Sequence, residues 1–593
     1  MTTTDASEVR WDLEPLVDGR GPEGVDALLD QADGVAERLA ASKGRIAEMD
    51  AAEFADLLEG IAELRELTGR AGNYAQLWFS TDTQDPRRGA LMQKVEERTT
   101  EIGTKLLFFE LEWAALDDAH AQKLLDDPAL ANARHHLEVQ RRLRDHLLSE
   151  PEERVLAEKA VTGRAAWVRL FNEHISAVEA TIDGDSIPLD AALSNLLSPD
   201  RDLRQRTADA VTEALEPGLR TRGFIYNTLA ADKATDDRLR GFSHWLEGFN
   251  ISQEASDEAV AALVAAVRER YDLPQRWYDL KRRLLGLEKL AHYDRLAGVS
   301  QDDVEFGWDE ARTVVLDCYD SFSTELGDIT RRFFDENWID APAVPGKTTG
   351  AFCAPTVPSV HPYVLLNYTG KRRDVMTLAH ELGHGVHQYL GAKQGIWHHT
   401  TPLTMAEVAS VFGETITFNR LWATADSDES RFSLLTRQIE DAISTVFRQV
   451  AFNQFEDRSH NARRNEGELS LDRFAEIWME TQGEMLGPAF DLSDDYHAWW
   501  SYIPHFIHVP GYVYAYAFGM LLALSVYRRY EERGDEFVPL YLEMLGAGGS
   551  RSPEDLAAIV DCDLTDPGFW HGGLALIERD IERAEETSTT RLG

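Results

Sequence analysis

The chain of 593 residues lacks most of the features that mark secreted and membrane-bound proteins. It contains only three cysteines, Cys318, Cys353 and Cys562, which are widely spaced and odd in number. Such a set does not favour a disulfide framework and indicates a reducing compartment. No run of about 18 apolar residues is present, so we expect no membrane-spanning helix. Residues 1–6 have neither the basic start nor the apolar core of a signal peptide, which predicts a cytoplasmic protein.

Basic residues are scarce, with 60 lysines and arginines against 103 acidic residues and a net charge of −43 that is spread along the chain. This balance argues against a nucleic-acid partner, because phosphate contacts need a basic surface. Arginine greatly outnumbers lysine, and acidic residues crowd the exposed helix positions. The composition resembles that of proteins from salt-loving organisms.

The acidic surface predicts that both activity and stability need high salt. At molar ionic strength the Debye length falls to about 3 Å, so repulsion between surface carboxylates is screened. We expect activity and melting temperature to rise together along a KCl series from low to molar concentration. A flat profile over that series would contradict the prediction.

Linkers rich in proline, glycine or serine are few, which favours one large helical body over several separate domains. Apolar residues recur at helical spacing from the start of the chain, as in Val25, Leu28, Leu29, Ala32, Val35 and Leu39. Strand-like stretches are sparse and concentrate in residues 350–368. We therefore predict a mainly α fold with a small β-sheet, whose edge could bind a peptide in extended form.

The most informative segment reads His-Glu-Leu-Gly-His at residues 380–384. On a helix His380 and His384 lie on one face and can bind a single Zn²⁺, with Glu381 beside the metal. A strand is predicted just upstream, at residues 362–368. Asp374 is the expected N-cap of the motif helix, and Gly391 is its expected end.

A catalytic zinc usually takes three protein ligands, so a third donor must follow the motif. The metzincin pattern needs Gly at 387 and His at 390, whereas this chain has His387 and Leu390, which excludes that subclass. A carboxylate on the next helix is the other common solution, and Glu407 and Glu414 are both candidates. They are two helical turns apart, about 10 Å along the axis, so only one can bind the same ion.

Glu407 is the preferred ligand, because the small residues Ala406, Ala409 and Ser410 would let its helix approach the motif helix closely. Glu414 would then orient a ligand histidine through the free ring nitrogen. An alternative remains at this point. Thr404 and Glu407 also fit a capping box, in which the glutamate only bonds the first backbone amide of its helix.

The motif and its surroundings resemble the M3 family of metallopeptidases, most closely the oligoendopeptidase F group. The resemblance is carried by residues 350–353, 366–368, 380–387 and 407–410, while residues 146–153 and 198–204 resemble that group's accessory region. It implies an N-terminal helical lobe at 1–195, a catalytic domain at 196–593, and a helical zincin-type body that encloses a substrate channel.

The same resemblance assigns roles to individual residues. It implies that His380, His384 and Glu407 bind one Zn²⁺ per chain and that Glu381 is the general base. His387 belongs to the extended motif without being a ligand, so we expect it to pack in the helix or to support a ligand. Co²⁺ or Mn²⁺ could occupy a similar nitrogen and oxygen site.

A peptidase also needs a donor for the oxyanion that develops on the scissile carbonyl. Residues 502–519 are rich in histidine and tyrosine and resemble the family's substrate-clamping segment. His505 and Tyr512 are the preferred substrate contacts, with His508 and Tyr516 as substitutes. The alternative is that these side chains only form a buried aromatic helix start.

The expected function is hydrolysis of internal bonds in short unfolded peptides by a zinc oligoendopeptidase. One rival is a zinc metallocarboxypeptidase, and another is an inactive zinc-containing peptide-binding protein. Glu381 speaks against the second rival, because a structural zinc site needs no base.

Overall fold

The computed structural model describes residues 5–300 and 304–592, and residues 1–4, on which the signal-peptide prediction partly rests, lie outside them. The fold is mainly α, as predicted. The helices are α1 Pro22–Ala40, α2 Ala51–Ser80, α3 Pro86–Thr104, α4 Leu107–Ala115, α5 Asp118–Leu125, α6 Arg134–Arg142, α7 Glu150–Ala160, α8 Arg164–Ser176, α9 Leu189–Ser194, α10 Arg201–Arg240, α11 Glu247–Ser252, α12 Asp257–Glu269, α13 Asp272–Leu284, α14 Trp308–Phe322, α15 Thr324–Asp335, α16 Arg372–Gly391, α17 Leu403–Thr424, α18 Asp428–Ala442, α19 Arg448–Glu466, α20 Leu471–Leu486, α21 His505–His508, α22 Tyr514–Arg533, α23 Val538–Gly546, α24 Pro553–Ile559 and α25 Pro567–Leu592. The strands are β1 Glu179–Ile182, β2 Asp185–Pro188, β3 Ile339–Pro342, β4 Phe352–Ala354 and β5 Tyr363–Tyr368.

The chain divides into two compact units, each built from three separate stretches of sequence. Unit 1 comprises Met1–Arg144, Asp303–Thr424 and Val526–Asp563, and unit 2 comprises Asp145–Asp302, Ala425–Ser525 and Leu564–Gly593. The division into 1–195 and 196–593 was inferred from resemblance to accessory and catalytic regions rather than from compactness, and it stays a prediction.

Each unit has its own apolar core. In unit 1, the six apolar positions of α1 that the helical spacing singled out are all buried, and they pack in one cluster with residues of α2, α4 and α5. In unit 2, the long helix α10 packs with α19, α20 and the aromatic residues 496–506. Burial of these apolar faces is the main force that holds each helical layer together.

The sheet of unit 1 has the strand order β3-β5-β4. Strand β5 lies in the middle, parallel to β3 and antiparallel to β4, with Val364 opposite Ile339 on one side and Cys353 on the other. Five of its six residues are buried apolar or aromatic residues, as expected for a central strand. Helix α16 follows β5 after a short turn at Gly370, so the small sheet lies next to the motif helix, as predicted.

A β-hairpin in unit 2 was not predicted. Strands β1 and β2 pair in antiparallel register, with Ile182 opposite Asp185. The two residues between them, Asp183 and Gly184, have φ values of 53° and 96°. An Asp-Gly pair in this left-handed conformation is a strong hairpin signal, so this element was readable from the sequence.

Two further findings concern the features that the sequence lacks. None of the helices within 5–300 and 304–592 combines the length and the apolar character that crossing a membrane requires. The thiols of Cys318, Cys353 and Cys562 are free, and burial raises the pKa of Cys318 and Cys562 to about 11. These two thiols therefore behave as small apolar groups rather than as nucleophiles.

Candidate metal centre

Helix α16 carries the histidine motif and begins at Arg372, three residues earlier than an Asp374 N-cap would require. The prediction for Asp374 was wrong in position. Its carboxylate instead reaches back from the first turn and accepts hydrogen bonds from the backbone N–H groups of Thr369 at 2.7 Å and Lys371 at 3.1 Å. It thereby fixes the turn between β5 and the motif helix, and the helix ends at Gly391 as predicted.

Helix α17 packs directly against α16, and glycine makes the close approach feasible. A Cβ atom built on Gly383 would lie 2.3 Å from the carbonyl oxygen of Ala409 and 2.6 Å from the Cα of Ser410. The two helix backbones therefore nearly touch at this point. The small residues of α17 allow the contact, as the sequence suggested, and the contact brings the side chain of Glu407 to the motif face of α16.

Three donor atoms converge between the two helices. The Oε2 atom of Glu407 lies 3.4 Å from Nε2 of His380 and 3.6 Å from Nε2 of His384. Within the described residues, these three side chains form the only group of histidines, cysteines and carboxylates whose ligand atoms all lie within 4.8 Å of one another. We call His380, His384 and Glu407 the metal triad.

Glu407 does not form the alternative capping box. Helix α17 begins at Leu403, so Thr404 lies inside the first turn rather than at the cap. The Oε2 atom of Glu407, which faces the histidines, accepts a hydrogen bond from the hydroxyl of Ser410 at 2.7 Å. Ser410 was noted in the sequence only for its small size, and its role in orienting the carboxylate was missed.

Both histidines of the triad make a hydrogen bond to a residue of α17. Nδ1 of His380 lies 3.3 Å from Oε2 of Glu414, which is two helical turns beyond Glu407 on α17. Glu414 is the carboxylate that the sequence predicts to orient a ligand histidine. His384 bonds the main chain of Ala406. His387 lies one turn beyond the triad and is buried, which lowers its pKa to about 3. The contact between Nδ1 of His380 and Glu414 leaves Nε2 of that ring directed to the common centre.

Glu381 lies beside the triad and is only 7% exposed. Burial raises the pKa of its carboxyl group to about 7, and the negative charges of Glu407 and Glu414 act in the same direction. The charge of His380 and a hydrogen bond with the backbone of Cys353 on strand β4 oppose this rise. The carboxyl group is therefore fixed against the sheet and is not a member of the triad.

The donor set fits a metal ion. Two imidazole nitrogens and one carboxylate oxygen are the ligands of one large class of catalytic zinc sites, which keep a further position for water. The site also favours positive charge. Burial would lower the pKa of His380, yet its hydrogen bond to Glu414 and the charges of Glu414 and Glu407 raise that pKa to about 9.

The histidine and tyrosine residues predicted to contact substrate lie in unit 2. His505, Tyr512 and Tyr516 form one half-buried cluster, in which Nε2 of His505 lies 3.2 Å from the hydroxyl of Tyr516 and the ring of Tyr512 stacks on His505. His508 is not in the cluster, since its Nε2 bonds Asn172 at 2.7 Å. The roles of all four in substrate binding stay predictions.

A buried carboxylate that the sequence gave no reason to select supports this cluster. Glu456 on α19 is fully buried and accepts a hydrogen bond from the backbone N–H of Gly511 at 3.0 Å. Gly511 has φ of +89°, and a Cβ atom there would lie 2.5 Å from a methyl carbon of Leu246. Glu456 and the absence of a side chain together set the turn that precedes Tyr512.

Three nearby tyrosines allow a controlled test of the predicted oxyanion donors. If Tyr512 or Tyr516 donates to the transition state, its replacement by Phe should lower kcat about a hundredfold. Tyr514→Phe is the matched control, because the hydroxyl of Tyr514 donates to Asn250 at 2.8 Å in the core of unit 2. That variant should lose stability and keep kcat. Unchanged kcat in both test variants would contradict the prediction.

Comparisons with known proteins agree with the motif. The family model described as Peptidase family M3 matches residues 316–576, and the model described as Oligopeptidase F matches residues 112–179. The chain is 27% identical over 527 residues to an oligoendopeptidase F homologue from Borreliella burgdorferi, which covers 86% of this chain and 87% of that protein. It is 24% identical to oligopeptidase PepF from Bacillus subtilis, covering 92% of this chain and 82% of the relative.

Solved structures show the same fold. The crystal structure of a Chlamydophila abortus protein described as a peptidase matches with a TM-score of 0.87 and 24% identity, over 99% of this chain and all of that one. The structure of oligoendopeptidase F from Enterococcus faecium matches with a TM-score of 0.69 and 21% identity, over 95% and 99% of the two chains. The chain therefore belongs to peptidase family M3, in the group of oligoendopeptidase F.

Proposed function

We propose that this chain is a zinc-dependent oligoendopeptidase that hydrolyses internal bonds of short unfolded peptides. The observation that carries the proposal is the buried carboxylate of Glu381 beside a triad of His380, His384 and Glu407. A structural zinc site does not need a free carboxylate next to its ligands, whereas a hydrolytic zinc site needs a general base at this position.

The metal triad would hold the zinc ion. When bound, the ion supplies a Lewis acid that polarises the peptide carbonyl and activates a water. Ser410 orients the carboxylate of Glu407 and Glu414 orients the ring of His380, so the donors are directed before any ligand arrives. This preorganisation limits the reorganisation that the reaction requires.

Glu381 is the proposed proton carrier. Its carboxylate accepts a proton from the attacking water and passes it to the leaving amine, so that one residue serves both halves of the reaction. The backbone of Cys353 holds the carboxyl group in place. Because Cys353 lies on β4, one of the two outer strands of the sheet, the base is adjacent to a strand edge at which an extended peptide would bind.

The substrates proposed are peptides without folded structure. Supporting this proposal are the relatives named oligoendopeptidase F and oligopeptidase PepF, which cover most of this chain. A cytoplasmic location is also part of the proposal, and the free thiols of Cys318, Cys353 and Cys562 support it, because they suit a reducing compartment.

The deciding experiment uses a short internally quenched peptide with both ends blocked, in molar KCl, with and without a chelator. Internal cleavage that the chelator stops and zinc restores is the expected result, with the products identified by mass spectrometry. A metallocarboxypeptidase would leave the blocked peptide intact and cleave only one with a free carboxyl end. A peptide-binding protein would bind the peptide and cleave neither form.

Metal binding by the triad gives a second, independent test. His384→Ala and Glu407→Gln should each lower zinc affinity more than Glu414→Gln. The first removes a donor atom, the second replaces a charged donor with a neutral amide, and the third only weakens the hydrogen bond to Nδ1 of His380. For Glu414→Gln, which changes a group that supports a metal ligand, we expect zinc affinity to decrease by about 10- to 100-fold. Zinc affinity is measured by competition with a chromophoric chelator. Equal affinities in all three variants would contradict the triad.

A further inference from the structure

Unit 1 contains a cleft that shares no lining residue with the metal triad. It lies between the N-terminal residues 10–14, helix α2, the start of α3 and strand β3, and its volume is about 400 Å³. We call it the N-terminal cleft. This volume is within the range of small-molecule sites, near its lower end.

A buried carboxylate lies on one side of the cleft. Asp340 is only 2% exposed, and its Oδ1 atom accepts a hydrogen bond from the ammonium of Lys347 at 2.5 Å. Lys347 is held in turn by the carbonyl of Pro342 at 2.8 Å. The other carboxylate oxygen, Oδ2, is buried and has no hydrogen-bond partner among the described residues. The guanidinium of Arg10 is 3.9 Å from it, beyond hydrogen-bond distance.

A cationic donor lines the same cleft. Arg88 is fixed by hydrogen bonds from Nη1 to the carbonyl of Trp78 at 2.7 Å and to the hydroxyl of Thr81. Its Nε–H is buried and has no hydrogen-bond partner within residues 5–300 and 304–592. The nearest carboxylate oxygen, on Asp85, is 3.7 Å away. Buried polar atoms are rarely left unpaired. Oδ2 of Asp340 therefore indicates a ligand atom that donates a hydrogen bond, and Nε–H of Arg88 indicates a ligand atom that accepts one.

Aromatic side chains form the remaining walls. Trp11, Tyr74 and Trp78 line the cleft, and the rings of Tyr74 and Trp78 are 6.2 Å apart. Tyr74 is only 4% exposed, and its burial and the nearby charge of Glu14 raise the pKa of its hydroxyl. Aromatic faces next to a carboxylate suit an organic ammonium group and an apolar side chain.

We propose that the N-terminal cleft binds a small zwitterion, namely a free amino acid or a dipeptide. The ammonium group donates to Oδ2 of Asp340, the carboxylate accepts from Nε–H of Arg88, and the side chain lies against the aromatic walls. A purely anionic ligand would leave Oδ2 of Asp340 without a donor, and a purely cationic ligand would leave Nε–H of Arg88 without an acceptor. The volume of the cleft excludes long peptides. The proposal does not depend on the proposed peptidase function.

Ligand-detected NMR with the full-length chain tests this proposal, using a panel of common amino acids and simple dipeptides at up to about 10 mM. At least one member should bind. Its N-acetyl derivative, which lacks the ammonium, and its amide, which lacks the carboxylate, should each bind at least about tenfold more weakly. These analogues test the recognition on the unaltered chain. Absence of binding by every member, or equal binding of the analogues, would overturn the proposal.

Two arginine variants locate the ligand. Arg88→Lys keeps the charge but removes the Nε–H, and it should weaken binding at least about tenfold. Arg87→Lys is the matched control, since the Arg87 side chain is largely exposed and pairs, among the described residues, with Asp85, and it should leave binding unchanged. His384→Ala should also leave binding unchanged. Binding that is lost in His384→Ala and kept in Arg88→Lys would place the ligand at the metal triad and overturn the proposal.

Discussion

Glu381→Gln should lower kcat about a thousandfold or more while zinc stays bound. General-base catalysis contributes roughly 10²- to 10⁴-fold, and Gln has the same shape but cannot accept the proton. Gln can still accept the hydrogen bond that Glu381 makes with the backbone of Cys353, so the variant should fold normally. The measurement is single-turnover cleavage of a quenched peptide at saturating zinc, together with the zinc content per chain.

Glu414→Gln is the control for this result. It also converts a carboxylate near His380 into an amide, but it leaves the base in place. At saturating zinc it should keep most of its kcat. If Glu381→Gln keeps activity comparable to this control, Glu381 is not the base. If Glu381→Gln loses its zinc, the lost activity says nothing about proton transfer, and the carboxyl group belongs to the metal site instead.

The parts of the site that could be predicted are those with a local signature. Residues four apart on a helix share a face, so the pairing of His380 and His384 followed directly from their spacing. The strand at 363–368 and the helix end at Gly391 also have local signals, in apolar residues and in glycine. The start of the helix was misplaced because Asp374 can act either as an N-cap or from the first turn, and spacing alone does not distinguish the two.

The contacts that could not be predicted join residues far apart in the chain. The backbone of Cys353 bonds Glu381, and Glu456 bonds Gly511, across separations that carry no sequence periodicity. For the same reason, the sequence did not predict that each unit is built from three separate stretches of the chain. Such partners are fixed by packing of whole helices, whereas local patterns report only which face of a helix is apolar.

Gly383→Ala should damage the metal site without changing any ligand. The added methyl would lie 2.3 Å from the carbonyl oxygen of Ala409, and no side-chain rotation can relieve a contact with backbone. Helices α16 and α17 must therefore move apart, which moves Glu407 away from His380 and His384. We expect zinc affinity to fall about tenfold or more and stability to fall by about 1–3 kcal/mol, as for other overpacked sites.

Gly385→Ala separates this effect from ordinary overpacking. It lies in the same helix and should gain the same helix propensity, roughly 1 kcal/mol. Its Cβ atom would lie 2.4 Å from the ring of Phe333 instead of against helix α17. The Phe333 side chain can shift, whereas the backbone of α17 can shift only if the whole helix moves. Gly385→Ala should therefore change stability and keep zinc affinity. Because helix propensity favours alanine in both variants, a loss of zinc affinity confined to Gly383→Ala can only come from the separation of the two ligand helices. Equal zinc affinity in the two variants would mean that the close helix contact does not position Glu407.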